Sequence, residues 1–251
     1  ESDRPTTTAR KRTHLLWERQ RRAMSGDGQT AAEVAVVDYG LGNLRSVTRG
    51  LERAGAAVEI TADPDAIAAA DGIVLPGVGA FSEGMDNAGP FRDLLVEEAE
   101  AGTPLFGICL GMQMLLTTSE EADHAGEGDV EGLDLIPGKN VRFPDSVKVP
   151  QMGWNDLSVR REHPLVSGPA VADGGDPDPE RSVDGEYAYF VHSYYAEPDD
   201  PDAVVATTDY GVEFASIVAN EAGNVFGTQF HPEKSGETGL RILRNFVDLC
   251  R

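Results

Sequence analysis

The stretch Pro104-Leu105-Phe106-Gly107-Ile108-Cys109-Leu110-Gly111-Met112-Gln113 decides the fold. Its apolar run reads as a buried strand ending on a cysteine, with glycines two residues before and two after. A helical spacing of Met112, Leu115 and Leu116 begins at once. Strand, sharp turn and helix around a reactive side chain make a nucleophile elbow, with sulfur in place of a serine hydroxyl. Glycine is required on both sides because so tight a turn leaves no room for side chains beside the nucleophile. At the amino end of a helix, free N–H groups and the dipole favour thiolate over thiol. A lone cysteine is more often a small buried apolar residue, but the paired glycines in this context favour the nucleophile.

A cysteine nucleophile needs a base. Val225–Phe230 reads as a strand that runs directly into His231-Pro232-Glu233-Lys234. Glu233 can accept a hydrogen bond from one imidazole nitrogen and leave the other facing the sulfur. Pro232 fixes the backbone between the two side chains. A His-Pro-Glu by itself is commonly an ordinary loop. Together with the elbow it gives a Cys109, His231, Glu233 triad. His192 has no carboxylate at such spacing and reads as a core imidazole. The N–H of Leu110, directly after the nucleophile, is one donor for a tetrahedral oxyanion.

Outward from the elbow the pattern alternates. Glu33–Asp38, Val58–Thr61, Gly72–Leu75 and Leu105–Ile108 read as strands. Leu44–Ala54, Pro64–Ala70, Phe91–Ala101 and Gly111–Thr117 read as helices. Such alternation predicts an α/β fold, a parallel sheet with helices on both faces and a site beyond the strands' carboxyl ends. After Gly132 the texture becomes strand-like, over Asn140–Phe143, Asn155–Val159, Tyr187–Val191, Ala203–Thr208, Phe214–Val218 and Val225–Phe230. A last helix is expected over Glu237–Leu249.

Composition narrows the function. A net charge of −22 over 251 residues disfavours nonspecific binding to nucleic acid or to an anionic membrane surface, both of which need a basic face. Acidic runs such as Asp199-Asp200-Pro201-Asp202 read as solvated surface suited to a salt-rich cytoplasm, where screening relieves self-repulsion. Two cysteines make no disulfide framework, which indicates a reducing, cytoplasmic compartment, and Cys250 falls on the core-facing side of the last helix. No apolar run has the length of a membrane span. Residues 1–23 carry seven Lys/Arg against three Asp/Glu, a net of +4, whereas 24–251 carry 14 against 40, a net of −26. Residues 1–32 therefore read as an extension outside the domain, either upstream of a true start at Met24 or a disordered arm, and 33–251 as the domain. The stretch 172–185 reads as an acidic loop insertion.

The elbow and the late His-x-Glu resemble those of the class I, triad-type glutamine amidotransferases. The subtype most similar is the glutaminase subunit of imidazole glycerol phosphate synthase, from histidine biosynthesis. That resemblance rests on Asp38-Tyr39-Gly40-Leu41-Gly42-Asn43-Leu44, Pro76-Gly77-Val78-Gly79-Ala80-Phe81, Met152-Gly153-Trp154-Asn155, Phe190-Val191-His192-Ser193-Tyr194-Tyr195 and His231-Pro232-Glu233-Lys234-Ser235. It runs from about Val34 to the C-terminus. The resemblance implies a flavodoxin-like domain with an extra antiparallel portion, and hydrolysis of L-glutamine to glutamate and ammonia without metal or cofactor. It implies a second oxyanion donor at Val78, where the flanking glycines permit a peptide flip. Gly79, Gln113, Glu121, Ser193 and Tyr194 are implied to hold the glutamine α-amino and α-carboxylate groups. The implied partner, in a heterodimer, is a (β/α)₈-barrel cyclase subunit. It uses the ammonia to convert the nucleotide PRFAR into imidazole glycerol phosphate and AICAR. Asn43, Arg45, Trp154, Asn155 and Lys234 are the implied interface, although a tryptophan such as Trp154 could equally be buried in the core. Gln151 stands where the family pattern has histidine. Another class I amidotransferase and a stand-alone cysteine hydrolase share the elbow and the triad, and a non-catalytic module would not need them intact. The charge balance makes one expectation independent of the family: the thermal unfolding midpoint rises from low to molar KCl, and a midpoint that does not rise refutes the salt adaptation.

Overall fold

Along β1 (Glu33–Val37), Val34 and Val36 face one layer and Ala35 and Val37 the other, and all four are buried. A strand buried on both faces needs helices on both sides, and the computed structural model, which describes residues 31–121, 129–167 and 182–251, supplies them. On the Val34 side lie α1 (Leu44–Arg53) and α6 (Gly236–Leu249), which bring Val47, Leu51, Ile242, Leu243, Phe246 and Val247 into one core. Phe106 of the central sheet stacks on Phe246, with centroids 5.1 Å apart. On the Ala35 side lie α2 (Pro64–Ala69), α3 (Phe81–Ala88), α4 (Arg92–Glu100) and α5 (Leu110–Met114). Their Ile67, Phe81, Met85, Leu95 and Met112 fill a second core.

The parallel part of the sheet has the order β2 (Ala57–Thr61), β1, β3 (Gly72–Gly77), β4 (Leu105–Cys109), β14 (Val225–Thr228). This is the doubly wound arrangement, in which the order reverses beside β1 and a crevice opens at the carboxyl ends. From β14 the sheet continues through antiparallel β13 (Glu213–Ala219), β11 (Tyr194–Pro198) and β7 (Ile136–Arg142). β5 (Leu116–Ser119) and β6 (Val130–Glu131) form its far edge, and β12 (Val204–Asp209) and β9 (Ser158–Val159) branch from β13. Separate from this sheet, β8 (Gln151–Asp156) and β10 (Tyr187–His192) pair as an antiparallel ribbon. The expected α/β architecture, a parallel central sheet with an antiparallel portion, is the one observed.

Several elements differ from the sequence reading. The helix expected over Gly111–Thr117 ends at Met114, and Leu116–Ser119 is a strand. Its two threonines favour extended backbone, and β7 takes it up in parallel, with Leu116 beside Ile136. Asn155–Val159 is two strands rather than one, with buried Leu157 between them, and they pair with β10 and β12 respectively. The helix Phe81–Ala88 was not expected, because Gly84 interrupts its pattern. There glycine serves packing: a Cβ would come within 3.0 Å of Leu110. β11 was also not expected, since Pro198 and Glu197 obscure its alternation. Cys250 is buried in the first core, as its helical position predicted, and burial pushes its thiol up to about 12.

The extension 1–32 lies outside the described residues except for Ala31 and Ala32; Ala32 is buried and its carbonyl accepts from Ala57 N at 2.9 Å. Of the 172–185 loop, only Ser182 onward is described, and there Val183 is buried and its N–H donates to Val166 O. No helix among the described residues is long and apolar enough to cross a membrane.

The tightest packing in the sheet is at the elbow. A Cβ on Gly111 would lie 1.8 Å from the Leu75 carbonyl oxygen, and one on Gly107 2.6 Å from the Gly111 carbonyl oxygen. Neither neighbour is a side chain that can turn away. Gly111→Ala is therefore expected to destabilise the fold by about 3 kcal/mol or more, at the upper end of overpacking costs. Urea unfolding checks this, and a loss under about 1 kcal/mol would mean that β3 and α5 can separate freely.

Candidate active site

β3, β4 and β14 end side by side. Gly77 pairs with Cys109 and Thr228 with Ile108, so the neighbours of Cys109 in register are the end of β3 and the strand that leads to His231. Cys109 closes β4 and opens α5 with φ 55° and ψ −109°, a backbone conformation rare for any residue with a side chain. Such strain persists only where packing enforces it, and the close glycine contacts of α5 against β3 do so. The side chain is almost buried, with Sγ 3.8 Å from Val191 O and 3.9 Å from Gln229 Nε2. Leu110 is the first residue of the helix, where the N–H has no carbonyl one turn back to bond.

His231 and Glu233 come together as the sequence predicted. Nδ1 of His231 lies 3.0 Å from Glu233 Oε1, and both side chains are buried. Nε2 of His231 and Oε2 of Glu233 form no hydrogen bond among the described residues. Burial works against charge on the imidazole, but its interaction with the Cys109 sulfur and its hydrogen bond to Glu233, reinforced by their negative charges, outweigh it and raise the pKa to about 9. The loop itself is locked by Ser235. Its hydroxyl donates to His231 O at 2.7 Å and accepts from Tyr189 N at 2.9 Å, while His231 N donates to Tyr189 O. Sequence reasoning gave Ser235 no role; its position four residues after the histidine was the only signal.

The remaining expected site residues fall around the same crevice. Val78 is 39% exposed just past β3, and Gly79 has φ +107°. Gln113 is buried: its Nε2 donates to Tyr194 O at 2.9 Å and to Gln229 Oε1 at 3.1 Å. Glu121 Oε2 accepts from Phe81 N at 2.8 Å, at the amino end of the unexpected helix α3. Ser193 and Tyr194 lie at the junction of β10 and β11, and Ser193 O accepts from Phe143 N. Gln229, fully buried between the sulfur and Gln113, was not found from sequence.

His192 is a core imidazole, as read. Phe143 and Phe214 stand 5.2 Å from its ring, and Nδ1 is 2.7 Å from Tyr194 O. Burial lowers its pKa to about 4, so the neutral ring donates from Nδ1 to that carbonyl. Gln151, the residue that departs from the family pattern, is buried directly opposite His192 in the ribbon.

Of the expected interface residues, Trp154 is 56% exposed, which excludes the buried-core alternative. It meets Tyr189 edge-on at 6.0 Å, and Lys234 Nζ lies 6.0 Å from the centre of the same tyrosine ring. Met152 and Tyr187 are also exposed, and Arg45 and Asn43 lie at the start of α1. Asn155, the next residue along the strand, faces away from Trp154, and its Nδ2 donates to Asp209 O at 2.8 Å.

The raised imidazole has a measurable consequence. A group whose pKa rises from 6.5 to about 9 on folding contributes stability that is complete below 6.5 and is lost as pH climbs through 9. The His231 ring protons should titrate near 9 by NMR, and Cys109→Ala should bring the midpoint down by removing the sulfur and its charge. A midpoint left at 6.5 in the intact protein would mean that the sulfur and the imidazole do not interact.

The profile of the family described as "Glutamine amidotransferase class-I" matches residues 35–250. The chain is 76% identical over 227 residues to the imidazole glycerol phosphate synthase subunit HisH of Haloarcula marismortui, covering 88% of this chain and 97% of that one. It is 70% identical to the HisH subunit of Halobacterium salinarum over 90% of this chain and 97% of that one. It is 50% identical to the HisH subunit of Methanosarcina mazei, over 86% and 98%. Among solved structures, a crystal structure of a glutamine amidotransferase superposes with a TM-score of 0.62 at 19% identity, over 86% of this chain and 98% of that one. The PurLQS structure from Thermotoga maritima gives 0.62 at 23%, over 88% and 100%. At those identities the likeness speaks for the fold alone. Together with the matched span and the high identities to HisH, it establishes that this chain belongs to the class I glutamine amidotransferases and, within them, to the HisH subunits of imidazole glycerol phosphate synthase.

Proposed function

We propose that Cys109, His231 and Glu233 form the catalytic triad of a glutaminase that works under the control of a cyclase partner. The observation that carries the reading is a buried His231–Glu233 pair whose imidazole is raised by Cys109, itself held in a strained elbow conformation. Proton transfer from Cys109 to His231 gives thiolate and imidazolium, and the thiolate attacks the glutamine carboxamide carbon. The carbonyl electron pair moves to oxygen, where the N–H groups of Leu110 and Val78 receive it. When the tetrahedral intermediate collapses, the C–N bond breaks, His231 gives its proton to the leaving nitrogen, and ammonia departs. Neutral His231 then takes a proton from water, which adds to the thioester carbon. Collapse breaks the C–S bond, releasing glutamate and restoring the cysteine. Glu233 holds the ring by its Nδ1 throughout and stabilises its charge.

In the same reading, Gly79, Gln113, Glu121, Ser193 and Tyr194 form the cradle for the amino-acid end of glutamine. Gln113 acts chiefly by fixing the Tyr194 carbonyl, and Glu121 by fixing the start of α3, as their hydrogen bonds suggest. Ammonia released into bulk water would be protonated and lost, so its use requires a covered path to a partner. The exposed aromatic face of Trp154 and Tyr187, with Lys234 and the α1 start at Asn43 and Arg45, is the surface we assign to a (β/α)₈-barrel cyclase. Large exposed aromatics beside cations are the composition of an interface anchor.

Glutamate release from glutamine in high salt, with and without the cyclase and its nucleotide, tests both halves. Strong stimulation by the pair, and loss of about 10⁴-fold or more in Cys109→Ala, is the expected result. Full activity of the chain alone, unchanged by the cyclase, would instead identify a free-standing hydrolase or another amidotransferase.

A further inference from the structure

Tyr39 follows β1 and belongs to no part of the triad or the glutamine cradle, yet it is buried against both β3 and the elbow. Its hydroxyl donates to the Pro76 carbonyl oxygen at 2.5 Å and lies 3.8 Å from Met114 Sδ on α5. Burial, reinforced by the charge of Cys109, raises the phenol well above its usual range, so it remains a donor at any working pH.

The two ends of the segment that follows are held very differently. At Gly77 the position of a Cβ lies 2.6 Å from the Tyr39 hydroxyl, 2.8 Å from Leu110 Cβ and 3.0 Å from Gly111 N. At Gly79 the nearest atom to a Cβ is Glu83 Oε2 at 3.8 Å, and φ is already +107°. The upstream peptide is therefore clamped between Tyr39 and the elbow, and the downstream glycine is open. A rotation of the Gly77–Val78 peptide must pivot on a plane that the Tyr39 hydrogen bond fixes. Because Gly77 pairs in register with Cys109, that pivot sets how far the Val78 N–H stands from the reacting carbon.

We propose that Tyr39 is a positioning residue for the oxyanion hole: its hydroxyl fixes the Pro76–Gly77 peptide, so that the reorientation at Val78 ends in one productive place beside Cys109. The inference rests on the assignment of Val78 as oxyanion donor. A donor that is misplaced by an ångström weakens transition-state stabilisation and leaves ground-state binding alone, which separates this role from a contribution to glutamine affinity.

The test uses the chain in complex with its cyclase partner and nucleotide. Tyr39→Phe keeps the ring and its packing and removes only the donor. Glutamine turnover should fall about tenfold in kcat with KM within about twofold, while the rate at which iodoacetamide alkylates Cys109 stays unchanged, because that displacement develops no oxyanion. A 4-aminophenylalanine at position 39, which restores a donor at the ring's far end, should recover most of the lost kcat. An unchanged kcat, a rise in KM alone, or an equal fall in turnover and alkylation would each overturn the role. Val78→Pro, which deletes the N–H itself, distinguishes the two levels. If it turns over glutamine normally, the Val78 assignment fails and the inference loses its basis. If it is inactive while Tyr39→Phe is normal, only the role of Tyr39 fails.

Discussion

One backbone conformation organises this molecule. Cys109 can hold φ 55° and ψ −109° only because α5 is pressed so closely onto β3 that Gly111 touches the Leu75 carbonyl and Gly107 touches the first turn of the helix. That contact fixes the direction of the thiol, the position of the Leu110 N–H and the end of β3 in one step. Strain of this kind is offset by the two hydrophobic cores that hold the sheet between its helices. A site built in this way is rigid where chemistry needs rigidity. The loop that carries His231 is tied down separately, by Ser235 and the backbone of Tyr189.

Two kinds of residue surround the elbow, and they answer to different constraints. Gln113, Gln229 and His192 are buried polar groups that converge, directly or through one another, on the Tyr194 carbonyl. Leaving any of them unpaired would cost more than the bond itself gains, so this cluster specifies one arrangement of the β10–β11 junction. The ribbon of β8 and β10 obeys strand alternation instead. One face turns Gln151 and His192 inward, and the other turns Met152 and Trp154 to solvent.

How much of this could be read in the sequence depended on whether the signal was local. The elbow was legible because Gly-x-Cys-x-Gly states its own geometry, and the His231–Glu233 pair because a two-residue spacing across a proline leaves few alternatives. Apart from α3, the alternation of strands and helices up to Leu110 followed from apolar periodicity. What was missed depended on distant partners. The end of α5 is set by β7 pairing with Leu116, the start of α3 by a carboxylate 40 residues away, and the burial of Gln113 by Gln229 and Tyr194. The resemblance to one subtype, by contrast, came from several short segments whose order no single periodicity could have provided.

The exposed ribbon face sits on a chain that carries 22 net negative charges. At low ionic strength such a surface repels any other acidic protein long before apolar side chains can touch. At molar salt the Debye length falls to about 3 Å, and the repulsion shrinks to the scale of a single contact. Burial of Met152, Trp154 and Tyr187 needs no charge pairing and loses nothing to that screening. A complex formed through this face between two acidic chains would therefore be assembled by salt rather than dissolved by it, and dilution into a low-salt buffer would act as a dissociating agent.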